Sequence, residues 1–366
     1  MADKIKVGII GCGGIANGKH LPALRAIADQ VELVAFCDIV VERAEKAKAD
    51  FGTPDSKVYE NYKDLLADKS IVAVHVCTPN RMHSPISVDA LDAGKHVICE
   101  KPMAINSAEA KKMLDAAKRN GKILTIGYQN RQTPAARFLR DEAQEGVFGD
   151  IYFAKATAIR RRGVPTWGVF LNEYEQGGGP LIDIGTHSLD LTLWVMNNYK
   201  PKYCVGTAYH ELNNLPGDKQ GNSWGNWSPE KFTVEDAAFG FVVMENGATI
   251  ILESSWALNI IESREATTLV CGTKAGGDMY DQARINGVEN GRKFVTKYEM
   301  NGGGAAFFDS IGDDPANVRE AKLFYKAVRE GTEPFVKAEE AYVVTRILEG
   351  IYESAKSGKP YYFENN

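Results

Sequence analysis

The sequence predicts an α/β chain with an N-terminal doubly wound parallel sheet. A C-terminal α+β domain follows, built on a large, mainly antiparallel open sheet. Three observations predict this. Short apolar runs alternate with helical patterns up to about residue 127, a glycine-rich turn closes the first run, and longer β-type runs follow. A chain of 366 residues exceeds one ordinary core, which gives a dinucleotide-type domain over 1–127 and a second domain over 128–366.

The runs KVGII (6–10), ELVAFCD (32–38), VAVHVC (72–77), HVIC (96–99) and ILTIG (123–127) read as parallel strands buried on both faces. Helical patterns fill 19–29, 40–51, 84–93 and 107–120, with Gly52 and Gly94 as stops. Strand–helix alternation implies right-handed crossovers and a Rossmann arrangement. Beyond it, a helix is expected over 134–145 and strands over 150–160, 203–210, 237–244, 248–257 and 266–272. Helices return at 186–196, 316–330 and 338–355. The stretch 211–232, rich in Asn, Gly, Pro and Trp, reads as a loop long enough to cover a site or an interface.

With 44% hydrophobic and 25% charged residues, the composition is that of a globular enzyme. A net charge of -5 gives no electrostatic reason for nucleic acid or anionic membranes, and Arg160-Arg161-Arg162 is too short to change that. No run approaches the roughly 20 apolar residues that span a bilayer. The N-terminus enters a strand directly, without signal-peptide architecture, so a cytoplasmic location is expected. Cys12, Cys37, Cys77, Cys99, Cys204 and Cys271 form no CxxC pair and read as reduced thiols. His20, His75, His83, His96 and His210 show no metal spacing, so no metal is expected.

Gly11-Cys12-Gly13-Gly14-Ile15-Ala16 follows the first strand and precedes a helix. Glycine at 11 and 13 permits a tight turn and close approach of a pyrophosphate, and Ala16 is small enough for helix–strand packing. The helix N-terminus adds free N–H groups and partial positive charge. Asp38, closing the second strand, can accept both hydroxyls of a ribose and repel a 2′-phosphate. That favours NAD over NADP, although Arg43 one turn on softens the preference. The plainer alternative is that Asp38 only caps the helix near Val40. Thr78-Pro79-Asn80 lies at a strand end where ligands bind in such sheets, and is equally an ordinary turn composition.

Cys99-Glu100-Lys101-Pro102 ends the HVIC strand, which brings the Lys101 amine to the carboxyl edge of the sheet. There an ammonium can hydrogen-bond a substrate oxygen; the alternative is a surface lysine. Pro102 rigidifies the turn and is compatible with a cis bond. GGGPLIDIGTH sets Asp183 and His187 four residues apart, on one helix face. Oxidising an alcohol requires its hydroxyl proton to leave with the hydride. A neutral imidazole can take that proton, and a carboxylate can orient the ring. The alternative is a helix-start Asp with a half-buried His. Among the other histidines, His83 is the one expected near the cofactor.

Together, VGIIGCGGIA, CDIVVERA, CTPNRMHSPISVDALDAGKHVICEKPM, GYQNR (127–131) and GGGPLIDIGTHSLDL resemble the Gfo/Idh/MocA family over the whole chain. The family is named for glucose–fructose oxidoreductase, inositol dehydrogenase and a rhizopine-catabolism protein. The resemblance implies NAD-dependent hydride transfer to or from a sugar or polyol. His187 would be the base, supported by Asp183, with Lys101 on the reacting oxygen. It extends the cofactor set to Ile15, Glu100 and Gln129 and the substrate set to Tyr128 and Arg131. It also implies a homodimer or homotetramer formed through the C-terminal sheet. RRRGVPTWGVF (160–170) resembles, more locally, relatives acting on glucosides, anhydrosugars or keto-sugars. Trp167 would offer a platform to a pyranose and Arg160 and Arg162 would fork vicinal hydroxyls; a solvated strand edge is the alternative for the arginines. Two other readings share these residues: an NAD-dependent glycosidase working by transient oxidation and elimination, and a non-catalytic NAD sensor.

Overall fold

The computed structural model describes residues 3–298 and 314–364. The chain divides into two compact units, Met1–Gln129 with Asp314–Tyr342, and Asn130–Asp313 with Val343–Asn366.

In the first unit, six parallel strands form one sheet: β1 (Ile5–Ile10), β2 (Val31–Cys37), β3 (Lys57–Tyr59), β4 (Ala73–Val76), β5 (His96–Cys99) and β6 (Leu124–Ile126). Their order is β3-β2-β1-β4-β5-β6, so the direction of winding reverses between β1 and β4. In open α/β sheets ligands bind at that reversal, outside the carboxyl ends of the strands. Near-continuous apolar runs make the strands because helices cover both faces; β4 is buried at every residue. The helix Ser107–Asn120 begins where the Asn106 side chain accepts the Glu109 N–H and stops at Gly121, with φ +58.

The helix Ala316–Glu330 belongs to this unit, where the sequence boundary assigns it to the second domain. Its apolar face carries Val318, Ala321, Phe324 and Tyr325 into one core cluster with Val7, Ile9, Leu24 and Phe36. A polar tie accompanies the packing. Lys19 Nζ lies 2.6 Å from Glu100 Oε1 and 3.0 Å from Glu320 Oε2, all three side chains being less than a tenth exposed. His20 Nε2 meets the same Glu100 oxygen at 2.7 Å, its Nδ1 meets His75 Nδ1 at 2.7 Å, and His75 Nε2 meets the Tyr325 hydroxyl at 2.7 Å. Burial opposes ionisation of Glu100, but Lys19 and His20 together hold its carboxyl well below the usual range. Burial pushes the Glu320 carboxyl up and the His75 imidazole well down.

The second unit carries nine strands: β7 (Ile151–Ile159), β8 (Pro201–Tyr209), β9 (Ala237–Met244), β10 (Thr249–Ser255), β11 (Arg264–Gly272), β12 (Ala275–Asp278), β13 (Ala283–Glu289), β14 (Arg292–Tyr298) and β15 (Tyr361–Tyr362). They run in the order β14-β13-β12-β11-β7-β10-β9-β8-β15. Among the described residues of this sheet, only β7 and β10 pair in parallel; the other pairs are antiparallel. The strands β12 to β14 were not foreseen. β12 reads AGGD and lacks apolar signal, because a Cβ at Gly277 would lie 2.7 Å from the Phe148 ring. β14 is exposed at six of its seven positions and so has no alternation to read. The stretch 211–232 is a loop with two short 3₁₀ turns, anchored by buried Trp227 and Phe232 against Trp256. Among the described residues, no helix is long and apolar enough to cross a membrane.

Lys19→Met would leave Glu100 and Glu320 buried without their cation. A loss of about 3–5 kcal/mol in unfolding free energy is expected from chemical denaturation, and an unchanged midpoint would contradict the tie described.

Candidate active site

In the first unit the glycine turn forms for steric reasons. Gly11 has φ +90, and a Cβ there would lie 2.6 Å from the Cys77 carbonyl oxygen at the end of β4. Around Gly13 and Gly14 a Cβ would meet nothing within 4 Å, so the outer side of the turn is open. The Asn17 side chain pins the turn by donating to the Cys12 and Gly13 carbonyls, each at 2.8 Å. The following helical run starts at Gly14 and passes through a π turn at Ala16–His20 into Leu21–Ala26. Pro22 has no N–H to give the Gly18 carbonyl, which accounts for the widened turn before it.

Asp38 accepts two backbone N–H groups. Its Oδ2 accepts the Cys12 N–H at 2.8 Å, bracing the glycine turn, and its Oδ1 accepts the Val40 N–H at 2.9 Å at the start of the next helix. Arg43 reaches to 3.9 Å from Oδ1 with its side chain largely exposed. Ile15 is exposed beside the turn, and Pro79 and Asn80 begin a short 3₁₀ turn after β4. The Thr78 hydroxyl is buried and has no partner among the described residues. A buried hydroxyl awaiting a partner, beside an open glycine turn, fits a bound dinucleotide.

Two sequence-assigned cofactor residues are occupied within the protein. His83 is buried with Nδ1 2.7 Å from the Pro102 carbonyl and Nε2 2.9 Å from the Thr78 carbonyl, so it ties two strand-end turns together. Burial lowers its pKa. Glu100 is committed to Lys19 and His20, and its second oxygen accepts the Lys101 N–H at 3.2 Å. It holds the backbone that presents Lys101. Lys101 itself is half-buried, and its bond to Pro102 is cis. Tyr128 is buried, while Gln129 is half-buried at the start of a 3₁₀ turn.

In the second unit, Asp183 and His187 occupy one continuous helical run. A π turn over Leu181–Gly185 leads into the helix Thr186–Met196. Asp183 is 9% exposed, His187 is half-buried, and π turns often mark functional positions. The Trp256 indole N–H donates to Asp183 Oδ2 at 3.0 Å. Trp256 escaped the sequence reading; its signal was an indole closing an apolar strand, where a buried N–H needs a polar partner.

Three of the residues assigned to the substrate have their side chains engaged within the protein. Arg131 is fully buried, with Nε donating to Asp190 Oδ2 at 2.9 Å and its face 5.6 Å from the Trp194 ring centroid. Arg160 donates its Nε and one terminal nitrogen to Glu265 and another to the Gly163 carbonyl. Arg162 donates its two terminal nitrogens to the Arg161 and Leu258 carbonyls and to Asn259. These forks hold the core and the strand edge. Trp167 differs, being 51% exposed and edge-on to Trp224 at 5.1 Å.

Fold and turn together define a dinucleotide-binding protein of the Rossmann class. Residues 5–128 match the model described as oxidoreductase family, NAD-binding Rossmann fold, and residues 136–276 match the GFO/IDH/MocA C-terminal domain. The chain is 34% identical to the D-glucoside 3-dehydrogenase of Escherichia coli K12, over 98% of this chain and 97% of that protein. It is 32% identical to the inositol 2-dehydrogenase of Salmonella typhimurium, over 54% of this chain and 56% of that protein. A solved levoglucosan dehydrogenase in complex with NADH superposes with a TM-score of 0.83 at 22% identity, covering 98% of this chain and 99% of the other. The chain belongs to the Gfo/Idh/MocA family of NAD-binding oxidoreductases.

Asp190→Ala would strand the fully buried Arg131 guanidinium. Urea unfolding should register a loss of about 3–5 kcal/mol, whereas a substrate-binding Arg131 would instead produce a raised KM in a protein of unchanged stability.

Proposed function

We propose that this chain is an NAD-dependent dehydrogenase of sugar or polyol hydroxyls, with glucosides as the first substrate class to test. The observation that carries the reading is the Asp183–His187 pair on one helical run, with the Asp183 carboxylate oriented by the Trp256 indole. The full-length likeness to a glucoside dehydrogenase supports the substrate class.

Gly11 permits the tight turn, Gly13 and Gly14 leave room for the pyrophosphate, Asp38 accepts the ribose hydroxyls, and Thr78 finds its missing partner on the dinucleotide. The Asp38 charge favours NAD over NADP. When bound, the nicotinamide supplies the hydride-accepting carbon. His187 takes the proton of the substrate hydroxyl, Asp183 keeps the imidazole in orientation, and Lys101 donates a hydrogen bond to the oxygen as it gains alkoxide character. Trp167, exposed on the 160–170 segment, offers an apolar face to a pyranose.

A second copy of the chain is the proposed partner. Val205 of β8 and Phe241 of β9 are cross-strand neighbours on the open face of the nine-stranded sheet, and both are more than 40% exposed. Apolar cross-strand pairs on a free sheet face support burial against another sheet. Six free cysteines support a reducing, cytoplasmic setting.

A panel of glucosides, anhydrosugars, aldoses and polyols should raise absorbance of the reduced cofactor with NAD more than with NADP. Lys101→Met should lower kcat by about 100-fold or more, the scale for losing one donor to a developing oxyanion, with NADH binding retained. Near wild-type turnover in that variant would remove the mechanism.

A further inference from the structure

We propose that Glu235 is a positioning residue for Asp183 and His187, its buried carboxylate clamping, with Tyr352, the glycine turn from which both side chains are launched. This rests on the proton-transfer roles proposed for that pair.

Glu235 is 3% exposed and lies just before β9. Its Oε2 accepts the Gly179 N–H at 2.8 Å, and its Oε1 accepts both the Leu181 N–H at 3.1 Å and the Tyr352 hydroxyl at 2.8 Å. Gly179 and Leu181 open the helical run that carries Asp183 and His187. The carboxylate therefore satisfies amides that no helical carbonyl reaches, at the end of the helix that favours negative charge. The glycines record how closely the clamp fits. Gly177 needs its left-handed φ of +79. A Cβ on Gly178 would collide with the Tyr352 hydroxyl, and one on Gly179 with the Glu235 carbonyl oxygen.

The next residue braces Asp183 from its other side. The Asp236 carbonyl accepts the Trp256 N–H at 3.0 Å, and the Trp256 indole donates to Asp183 Oδ2 at 3.0 Å. Two consecutive residues thus fix both the backbone that precedes Asp183 and the carboxylate itself. Burial pushes the Glu235 carboxyl up to about 7 in spite of Tyr352 and the two amides. Those donors are what an ionised carboxylate there depends on.

The test compares wild type with E235A, E235Q and Y352F by kcat, KM for NAD, and NMR titration of the His187 imidazole. E235A is expected to lose about 10- to 100-fold in kcat, as for a displacement of ~1 Å at reacting groups. Its KM for NAD should hold and its His187 midpoint should move. E235Q, keeping one carbonyl acceptor, should recover part of the rate, and Y352F should fall between. Folded E235A and Y352F with wild-type kcat and an unmoved His187 titration would overturn the clamp. If E235A does not fold, Y352F decides by the same measures. If wild type oxidises no alcohol, the proposed activity fails, while the His187 titration still decides the clamp.

Discussion

A single buried ammonium, that of Lys19, organises the first unit. It sits between Glu100 and Glu320, so three stretches of chain far apart in sequence meet at one charge: the helix after the glycine turn, the turn that presents Lys101, and the helix Ala316–Glu330. Desolvating one cation and two carboxylates is expensive, and their mutual attraction offsets it only where the geometry is close. His20, His75 and Tyr325 extend the hydrogen bonding across β4 to the returning helix. Apolar packing holds the same elements together, but it would tolerate small slips. The charge cluster does not, because a shift leaves a buried ion exposed to apolar walls. The backbone of Lys101 inherits this rigidity through the Lys101 N–H to Glu100.

The second unit uses the same physics at a different scale. Arg131 and Asp190 form a fully buried pair, and Asp190 lies on the helix that begins with Thr186 and His187. The helix is therefore anchored by an ion pair within a turn of His187, by Trp256 at Asp183, and by Glu235 at its approach. Side chains held by buried polar partners keep little rotamer freedom to lose, which is the general advantage of preorganisation.

How much of this was legible in the sequence follows from which signals are local. Parallel strands announce themselves as apolar runs, and the glycine turn with Asp38 is a short-range pattern, so the first sheet and its ligand edge could be read directly. Lys101, Asp183 and His187 stood out because their neighbours are unusual in spacing. The return of Ala316–Glu330 to the first unit was not legible, since an amphipathic helix does not say which sheet its apolar face covers. Strands β12 to β14 were hidden by glycines and exposed residues, whose β structure comes from pairing rather than burial. The internal partners of Arg131, Arg160 and Arg162 were not legible for a related reason. An arginine looks the same in sequence whether its fork meets a sugar or a carboxylate from another strand, and here Asp190, Glu265 and Asn259 had claimed them.

The two glycine motifs differ in what they demand, and that difference bears on what each turn is for. Gly11 is constrained by both conformation and space, while Gly13 and Gly14 face nothing in the protein, so their lack of side chains serves whatever approaches from outside. Gly178 and Gly179 are the reverse case: their space is filled by Tyr352 and Glu235 from within the same unit. The first turn is therefore shaped around a ligand and the second around a support. A binding turn can give up a glycine only by losing its ligand, whereas a support turn could accept a larger residue if its clamp withdrew.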